Sequence, residues 1–205
     1  MYTPPLFEQK DKQALYDLIA AYPFAMLVSN GSPQPMVTHI PLQLHHSKDG
    51  TAVLQGHLAK ANPHSAALQN GTPVTAVFSG PHAYISSSWY GHINVPTWNY
   101  AAVHVHGSIR LYNREETLQA LNTLTRRFEQ GREKAFDISQ MPEAMLNAHL
   151  SELVAFEIVI SHTDASWKLS QNRNETDFRN IIAELERQRD ENASAVAEMM
   201  KNLSK

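Results

Sequence analysis

The sequence has 205 residues, a hydrophobic fraction of 42% and no cysteine. Its 17 basic and 20 acidic side chains give a formal charge of −3, so the overall balance does not indicate binding to nucleic acid or to an anionic membrane surface. The lack of cysteine excludes disulfides, thiolate metal sites and cysteine nucleophiles. The start, MYTPPLFEQKDK, lacks the pattern of a signal peptide, and no apolar run approaches the ~18 residues of a membrane-spanning helix. We therefore expect a cytoplasmic protein with no membrane segment.

The first half of the chain alternates short apolar runs with turn residues. A short helix is predicted over 11–21, because Leu15, Leu18 and Ile19 share one helical face before Tyr22-Pro23. The β pattern that follows predicts strands over 24–29, 36–44, 51–58, 73–80, 83–88 and within 95–112, with a short helix that opens near Asn62. The connections are too short for parallel crossovers, so we expect an antiparallel meander that closes into a small barrel.

The second half adds helices to this sheet. NREETLQALNTLTRRFEQ, over 113–130, begins with a near capping box and carries one apolar stripe, and another short helix is predicted over 142–149. A strand over 153–160 returns to the sheet with Phe156 on the core side. The tail from about 176 is helical and charged, and its docking stripe fades after residue 189, so we expect the last dozen residues to be frayed or bound to a partner. No repeat or linker divides the chain, which predicts one mostly β domain, 1–205, with flanking helices.

The stretch VPTWNYAAVHVHG, residues 95–107, concentrates chemistry-bearing side chains on one strand. With period-2 alternation, Trp98, Tyr100, His104 and His106 all point to one face. That face could hold a metal ion, wall a flat ring or belong to ordinary core. His104 and His106 are about 7 Å apart along a strand, and a third ligand could come from three other histidines, His39, His57 or His92. No HExxH or carboxylate-rich pattern supports a metal, however, and we predict none.

A second candidate lies in GHLAKANPHSAAL, where a strand ends and a helix begins. The chain has no GxxxxGK[ST] loop and no GxGxxG fingerprint, so any phosphate needs a different cradle. Lys60 supplies a cation, and Asn62 and His64 stand at the predicted helix N-terminus, where free N–H groups attract anions. The alternative is an ordinary surface turn. Serine chemistry is not indicated, because the run Ser86–Ser88 lacks a GxSxG elbow.

Six blocks in one order carry a family resemblance. They are MYTPPLF, THIPL, GHLAKANP, FSGPHAYISSSWY, VPTWNYAAVHVHG and WKLSQNR, and they extend from the first residue to Arg173. Together they resemble the PaiB family, known as FMN-binding negative transcriptional regulators. The resemblance implies a flavin-binding split β-barrel, similar to the pyridoxamine-phosphate oxidase group, that forms a homodimer with FMN at the subunit interface.

The resemblance also implies a distribution of cofactor contacts. By position, His39, Ile40 and Pro41 present backbone to the isoalloxazine, while five residues near the strand-to-helix corner face the phosphate: His57, Lys60, Ala61, Asn62 and His64. Trp89, Trp98 or Tyr100 packs against a ring, with His104 as a polar wall. This corner departs from the oxidase group, because Lys60 is its one sure cation. The alternative for Trp98 and Tyr100 is that they anchor the dimer interface or barrel end.

Several functions remain open at this point. A bound flavin could transfer electrons, as in a flavin-dependent oxidoreductase, or report redox state. Haem is the second choice, with His57, His104 or His106 as axial ligand. Direct DNA binding is disfavoured, because no helix-turn-helix is recognisable and the densest basic segments are laced with acids. We therefore expect any regulation of transcription to be indirect.

Overall fold

The computed structural model describes residues 1–47 and 49–203. Its helices are α1 (Lys12–Ala21), α2 (Pro63–Ala67), α3 (Arg114–Glu129), α4 (Glu143–Ser151), α5 (Glu175–Arg187) and α6 (Glu191–Leu203). Its strands are β1 (Phe24–Ser29), β2 (Met36–Pro41), β3 (Gln43–His46), β4 (Ala52–Ala59), β5 (Pro73–Ile85), β6 (Thr97–Leu111) and β7 (Leu153–Lys168). No helix of the described part combines the length and the apolar character needed to cross a membrane.

The strands form one seven-stranded sheet in the order β2-β1-β5-β6-β7-β4-β3. β1 pairs antiparallel with β2 and β5, and β4 pairs antiparallel with β3 and β7. The two end strands of the sheet, β2 and β3, follow one another in the chain with only Leu42 between them. A Cβ added at Gly56 of β4 would lie 2.5 Å from Leu42 Cδ2 and 3.5 Å from Ile40 Cδ1 of β2. The sheet ends therefore approach one another, as the barrel prediction requires.

The chain divides into two compact units. The barrel unit comprises 19–77 and 105–163, and it holds β1 to β4, α2 to α4 and the adjoining parts of the three long strands. Its core is apolar and fully buried at Leu27, Leu42, Leu54 and Ile158. The terminal unit comprises 1–18, 78–104 and 164–205, and it holds the other parts of β5, β6 and β7 with α5 and α6.

Local signals place several elements as predicted. α1 and β1 have the predicted extent to within a residue, Asn62 caps α2, and Asn113 forms a complete capping box with Glu116 at the start of α3. In β6 the odd-numbered residues from Asn99 to Val105 are buried, whereas the even-numbered ones are more exposed. The alternation predicted for VPTWNYAAVHVHG is therefore confirmed, and Phe156 is fully buried as expected.

Three local predictions are wrong. The separate strand over 83–88 does not exist, because β5 runs through Gly80 and Pro81 to Ile85, and Ser87–Trp89 is a 3-10 turn. The sequence predicts His45 and His46 in a turn after the strand over 36–44, but these two exposed residues belong to β3. The end of the chain is not frayed over 194–203, because α6 buries Ala193, Val196, Ala197 and Met200 as a second stripe.

Candidate functional site

The corner between β4 and α2 is closed by its own hydrogen bonds. The Asn62 side chain accepts from the His64 N–H at 2.9 Å, and the Asn62 carbonyl accepts from the Ser65 N–H at 2.9 Å. The Asn62 amide group donates to Thr38 Oγ1 at 3.4 Å, and its own N–H donates to the Ala59 carbonyl. These donors are therefore engaged within the protein, and the five-residue α2 presents few free N–H groups to a ligand.

His64 is an internal brace of this corner. Its side chain is buried, with Ser29 Oγ 2.9 Å from Nε2 and Thr38 Oγ1 2.8 Å from Nδ1. Burial lowers the pKa of His64, so the neutral ring accepts one of these bonds and donates the other. The imidazole thus connects α2 to β1 and β2, and it positions the corner without facing solvent.

Lys60 is exposed and borders a cavity of about 560 Å³. Its backbone N–H donates to the Glu152 carbonyl at 2.8 Å, which fixes the start of the side chain. The polar part of the lining includes Arg114 and Asn147, which hydrogen-bond one another, and no described carboxylate lines the cavity. The apolar part comprises Leu111, Leu150, Leu153, Val154 and Ala155. The volume lies within the ~300–1,000 Å³ typical of small-molecule sites, so this space suits an anionic ligand with an apolar body.

Sequence reasoning missed Arg114 as a second cation of this cavity. The residue lies 54 positions after Lys60, in the first turn of α3, and only the tertiary fold brings the two to one cavity. The capping box at Asn113 was the available signal, because it fixes where α3 starts and therefore where Arg114 lies.

A second cavity of about 560 Å³ has the opposite character. It is lined by Glu115, Glu116 and Glu157 with Arg110 as its one cation among the described lining residues. Arg110 Nε donates to Glu157 Oε1 at 2.6 Å, and the Tyr112 hydroxyl donates to Glu157 Oε2 at 2.9 Å. The Glu157 carboxylate raises the pKa of Arg110, and burial raises that of Tyr112. This excess of acids makes the second cavity a poor site for a phosphate.

Strand β2 carries the residues predicted to face the isoalloxazine. His39 is exposed and stacks on Phe24, with ring centroids 6.0 Å apart, whereas Ile40 is buried and Pro41 is half-buried. β2 pairs with β1 on one side and ends the sheet on the other, so its outer main-chain edge has no second strand partner among the described residues. The contact of this main-chain edge with an isoalloxazine stays a prediction.

His57 and Ala61 flank Lys60 in sequence but differ in setting. His57 is half-buried on β4, and burial lowers the pKa of its ring, which favours the neutral form. It borders a separate cavity of about 10 Å³ with Leu121 and Leu124 of α3. Ala61 is exposed at the corner.

The remaining predicted residues on β6 and its preceding turn divide between the two units. In the terminal unit, Trp98 is 53% exposed and lies beside Tyr84, with centroids 5.9 Å apart, while Trp89, Tyr100 and His104 are half-buried. In the barrel unit, His106 stacks on His162 at 4.3 Å and its Nδ1 lies 3.0 Å from Thr75 Oγ1. The side chains of this face are half-buried or exposed, so they do not belong to the core. The ring that stacks on His106 is His162 of β7.

Comparison with known families gives a match over residues 1–162 to a family model described as "Putative FMN-binding domain". Among curated proteins, the Bacillus subtilis "Protease synthase and sporulation protein PAI 2" is 35% identical over 202 residues, which cover 98% of this chain and 97% of that protein. A yeast protein, YKL070W of Saccharomyces cerevisiae, is 32% identical over 113 residues, which cover 52% of this chain and 67% of that one.

Solved structures give the fold. The FAD- and haem-binding protein of Mycobacterium smegmatis superposes with a TM-score of 0.62 at 16% identity, covering 84% of this chain and 78% of that chain. The flavocytochrome Anf3 of Azotobacter vinelandii superposes with a TM-score of 0.60 at 14% identity, covering 84% and 75%. The predicted fold class, an antiparallel split barrel with flanking helices, is confirmed.

Proposed function

Because the chain belongs to the PaiB family of FMN-binding split-barrel proteins, we propose that it holds FMN with the phosphate at Lys60 in the barrel unit. The observation that carries the proposal is the charge of the Lys60 cavity. Lys60 and Arg114 line it together, and no described carboxylate opposes them. A phosphate carries two negative charges near neutral pH, and an arginine fork beside a lysine matches its oxygens.

The rest of the cavity suits the part of the flavin that adjoins the phosphate. Leu111, Leu150 and Val154 supply an apolar wall, and Asn113 and Asn147 supply amide groups for polar edges. When bound, the flavin supplies the redox chemistry, while these residues bind and orient it. Asn62 and His64 form their hydrogen bonds inside the corner, so we propose that they position it. Lys60 and Arg114 would contact the phosphate directly.

Other predicted residues take roles that depend on assembly. We propose a homodimer in which the open edge of β2, from His39 to Pro41, faces the isoalloxazine through its main chain. The exposed Trp98 lies beside the exposed Tyr84 and suits the subunit seam, because Trp and Tyr are enriched at protein interfaces. Trp89, Tyr100 and His104, all of the terminal unit, remain proposed cofactor contacts.

We further propose that the protein is cytoplasmic and that it regulates transcription through the state of its flavin and a protein or metabolite partner. The formal charge of −3 argues against direct operator binding. Salt-dependent retention of a promoter fragment at sub-micromolar protein would contradict this indirect mechanism.

The test of the phosphate assignment is a pair of titrations followed by flavin fluorescence, one with FMN and one with riboflavin. In Lys60→Gln and Arg114→Gln, the affinity for FMN should fall ~10-fold or more, because a hydrogen bond to a charged group is worth ~1.5–3 kcal/mol. The affinity for riboflavin, which lacks the phosphate, should not change.

Lys134→Gln is the matched control, because Lys134 is an exposed lysine of the same unit that lines neither large cavity. It should bind FMN like the unmodified protein. Full FMN affinity in Lys60→Gln would remove Lys60 from the phosphate site, and absence of any FMN binding would overturn the function itself.

Haem is the second candidate. The M. smegmatis protein binds FAD and haem, and its fold matches this one at low identity. A neutral imidazole is the form that ligates iron, and His57 favours that form, but the cavity beside it holds only about 10 Å³. A Soret band on haem addition that disappears in His57→Ala, without FMN quenching, would favour haem over flavin; His104→Ala and His106→Ala test the other two ligands.

A further inference from the structure

The turn between β7 and α5 places two cations near one another in the terminal unit. Lys168 is the last residue of β7 and Arg173 is the last turn residue before the cap of α5. Both are half-buried, and the charge of Arg173 acts on Lys168. Among the described residues, the partners of Lys168 and Arg173 are Thr97 and Tyr90, neither of which is an acid. The pair is therefore left without a neutralising charge.

The turn itself is rigidly built. The Gln171 side chain accepts from the Leu169 N–H at 2.7 Å and donates to the Trp167 carbonyl at 2.5 Å. Ser170 adopts a left-handed conformation with φ of 62°, which costs a non-glycine residue ~1 kcal/mol or more. Its hydroxyl donates to the fully buried Asn99 at 3.0 Å. These bonds hold the backbone that carries both cations.

Each cation is oriented by a neutral group and keeps unused donors. Lys168 Nζ donates to Thr97 Oγ1, and burial lowers its pKa, with a further contribution from Arg173. The Arg173 guanidinium lies 4.5 Å from the Tyr90 ring centroid, and Nη2 donates to the Tyr90 hydroxyl at 3.3 Å. The Arg173 Nε is buried and has no hydrogen-bond partner. An unsatisfied donor of this kind is costly unless a ligand completes it.

The nearby acids of the terminal unit are committed elsewhere. The Asp177 carboxylate accepts from the Gly91 N–H at 2.7 Å and from the Asn174 amide at 2.8 Å, and His92 Nδ1 lies 3.1 Å away. Glu8, which lies opposite Ser166 of β7, pairs with Lys10 at 3.0 Å. Neither compensates the two cations at hydrogen-bond range.

We propose that Lys168 and Arg173 receive an oxyanion, the phosphate or carboxylate group of a small-molecule ligand. An oxyanion would neutralise the repelling pair and could accept from Lys168 Nζ and from the remaining Nη donors of Arg173. Thr97 and Asn99, which hold this site, lie on the face of β6 opposite Trp98. The ligand contacts at this site would therefore be polar. Lys168 and Arg173, both of the motif WKLSQNR, would bind an anionic group at a site separate from Lys60.

The test uses inorganic phosphate and acetate as probes, with thermal unfolding of the full chain without flavin at constant ionic strength. A ligand that binds the folded state raises the midpoint by mass action. We expect phosphate, acetate or both to raise it in the unmodified protein, and the apparent affinity to fall ~10-fold or more in Lys168→Gln and Arg173→Gln. Which probe acts distinguishes a phosphate from a carboxylate ligand.

Lys10→Gln, at an exposed lysine of the same unit, should keep the full response. Lys168→Arg and Arg173→Lys preserve the charge and guard against variants that do not fold. Because the Lys60 cavity is also proposed to receive phosphate, both glutamine substitutions are measured in the Lys60→Gln background. Retention of the response in both of these double variants, or its absence from the unmodified protein, would overturn the proposal. A parallel titration identifies the source: FMN affinity lost in Lys168→Gln with riboflavin affinity unchanged points to the flavin phosphate, and unchanged FMN affinity points to another anion.

Discussion

Among single residues, Gly107 of β6 lies where β6 and β7 approach one another closely in the barrel unit. A Cβ placed there would lie 2.2 Å from the Val159 carbonyl oxygen and 2.8 Å from Ile158 Cγ2, both on β7. The oxygen belongs to the main chain and cannot move aside as a flexible side chain would. A side chain at this position therefore requires the two strands to separate.

Gly107→Ala should consequently lower the free energy of unfolding by at least ~1–3 kcal/mol, the usual cost of overpacking. Urea denaturation measures the change. Gly91→Ala is the matched control, because a Cβ at Gly91 meets its nearest atom at an ordinary 3.6 Å. Equal stability of the two variants would contradict the tight approach of β6 and β7.

Residues whose role depends on their sequence neighbours could be predicted, and those whose role depends on the fold could not. Asn62 and Lys60 were placed correctly at a strand-to-helix corner, because the cap signal is local. The partners of His64, in contrast, are Ser29 and Thr38, which lie on two other strands. No spacing rule indicates that the His64 ring forms its hydrogen bonds inside the protein. Arg114 could not be predicted either, because only the tertiary fold brings it to the cavity of Lys60.

Among the secondary-structure elements, α6 shows how a charged tail can still be packed. Its buried residues, Ala193, Val196, Ala197 and Met200, follow the i, i+3, i+4, i+7 spacing of a helix face. Alanine is only weakly hydrophobic, so the sequence pattern did not indicate that this helix face is buried. Small side chains nevertheless let a helix pack closely against its neighbours. α6 therefore packs into the terminal unit.

Met200→Ala should lower the free energy of unfolding by ~2–5 kcal/mol, because Met200 is fully buried and truncation leaves a cavity. The adjacent Met199 is half-buried, so Met199→Ala makes the same chemical change at a position that can relax into solvent. Its cost should be clearly smaller in the same chemical denaturation. A frayed tail would instead give two variants with unchanged stability.

At the scale of the whole molecule, two histidines tie stability to pH. Burial lowers the pKa of both His57 and His64 from the ordinary value of 6.5, so the unfolded chain binds protons at a higher pH than the folded chain does. Stability is then fully present above pH 6.5 and declines as the pH falls from 6.5 towards the folded-state values.

We expect the urea concentration at the unfolding midpoint to decrease when the pH is lowered from 7.5 to 5.5. This decrease should be smaller in His57→Gln and in His64→Gln, whatever the stability of these variants at pH 7.5. His45→Gln should keep the full dependence, because His45 is exposed. A pH dependence that is the same in all three variants would assign it to other groups.

The single residue between β2 and β3 sets a limit on how this barrel can change. Leu42 is fully buried, and its N–H donates to the Pro23 carbonyl at 2.8 Å. The strand before it, β2, and the strand after it, β3, are the two terminal strands of the sheet. One additional residue at this point would reverse which face every following side chain of β3 presents. Sequence variation among barrels of this kind should therefore accumulate length differences in loops such as 30–35 or 130–137, while the segment around Leu42 stays constant in length.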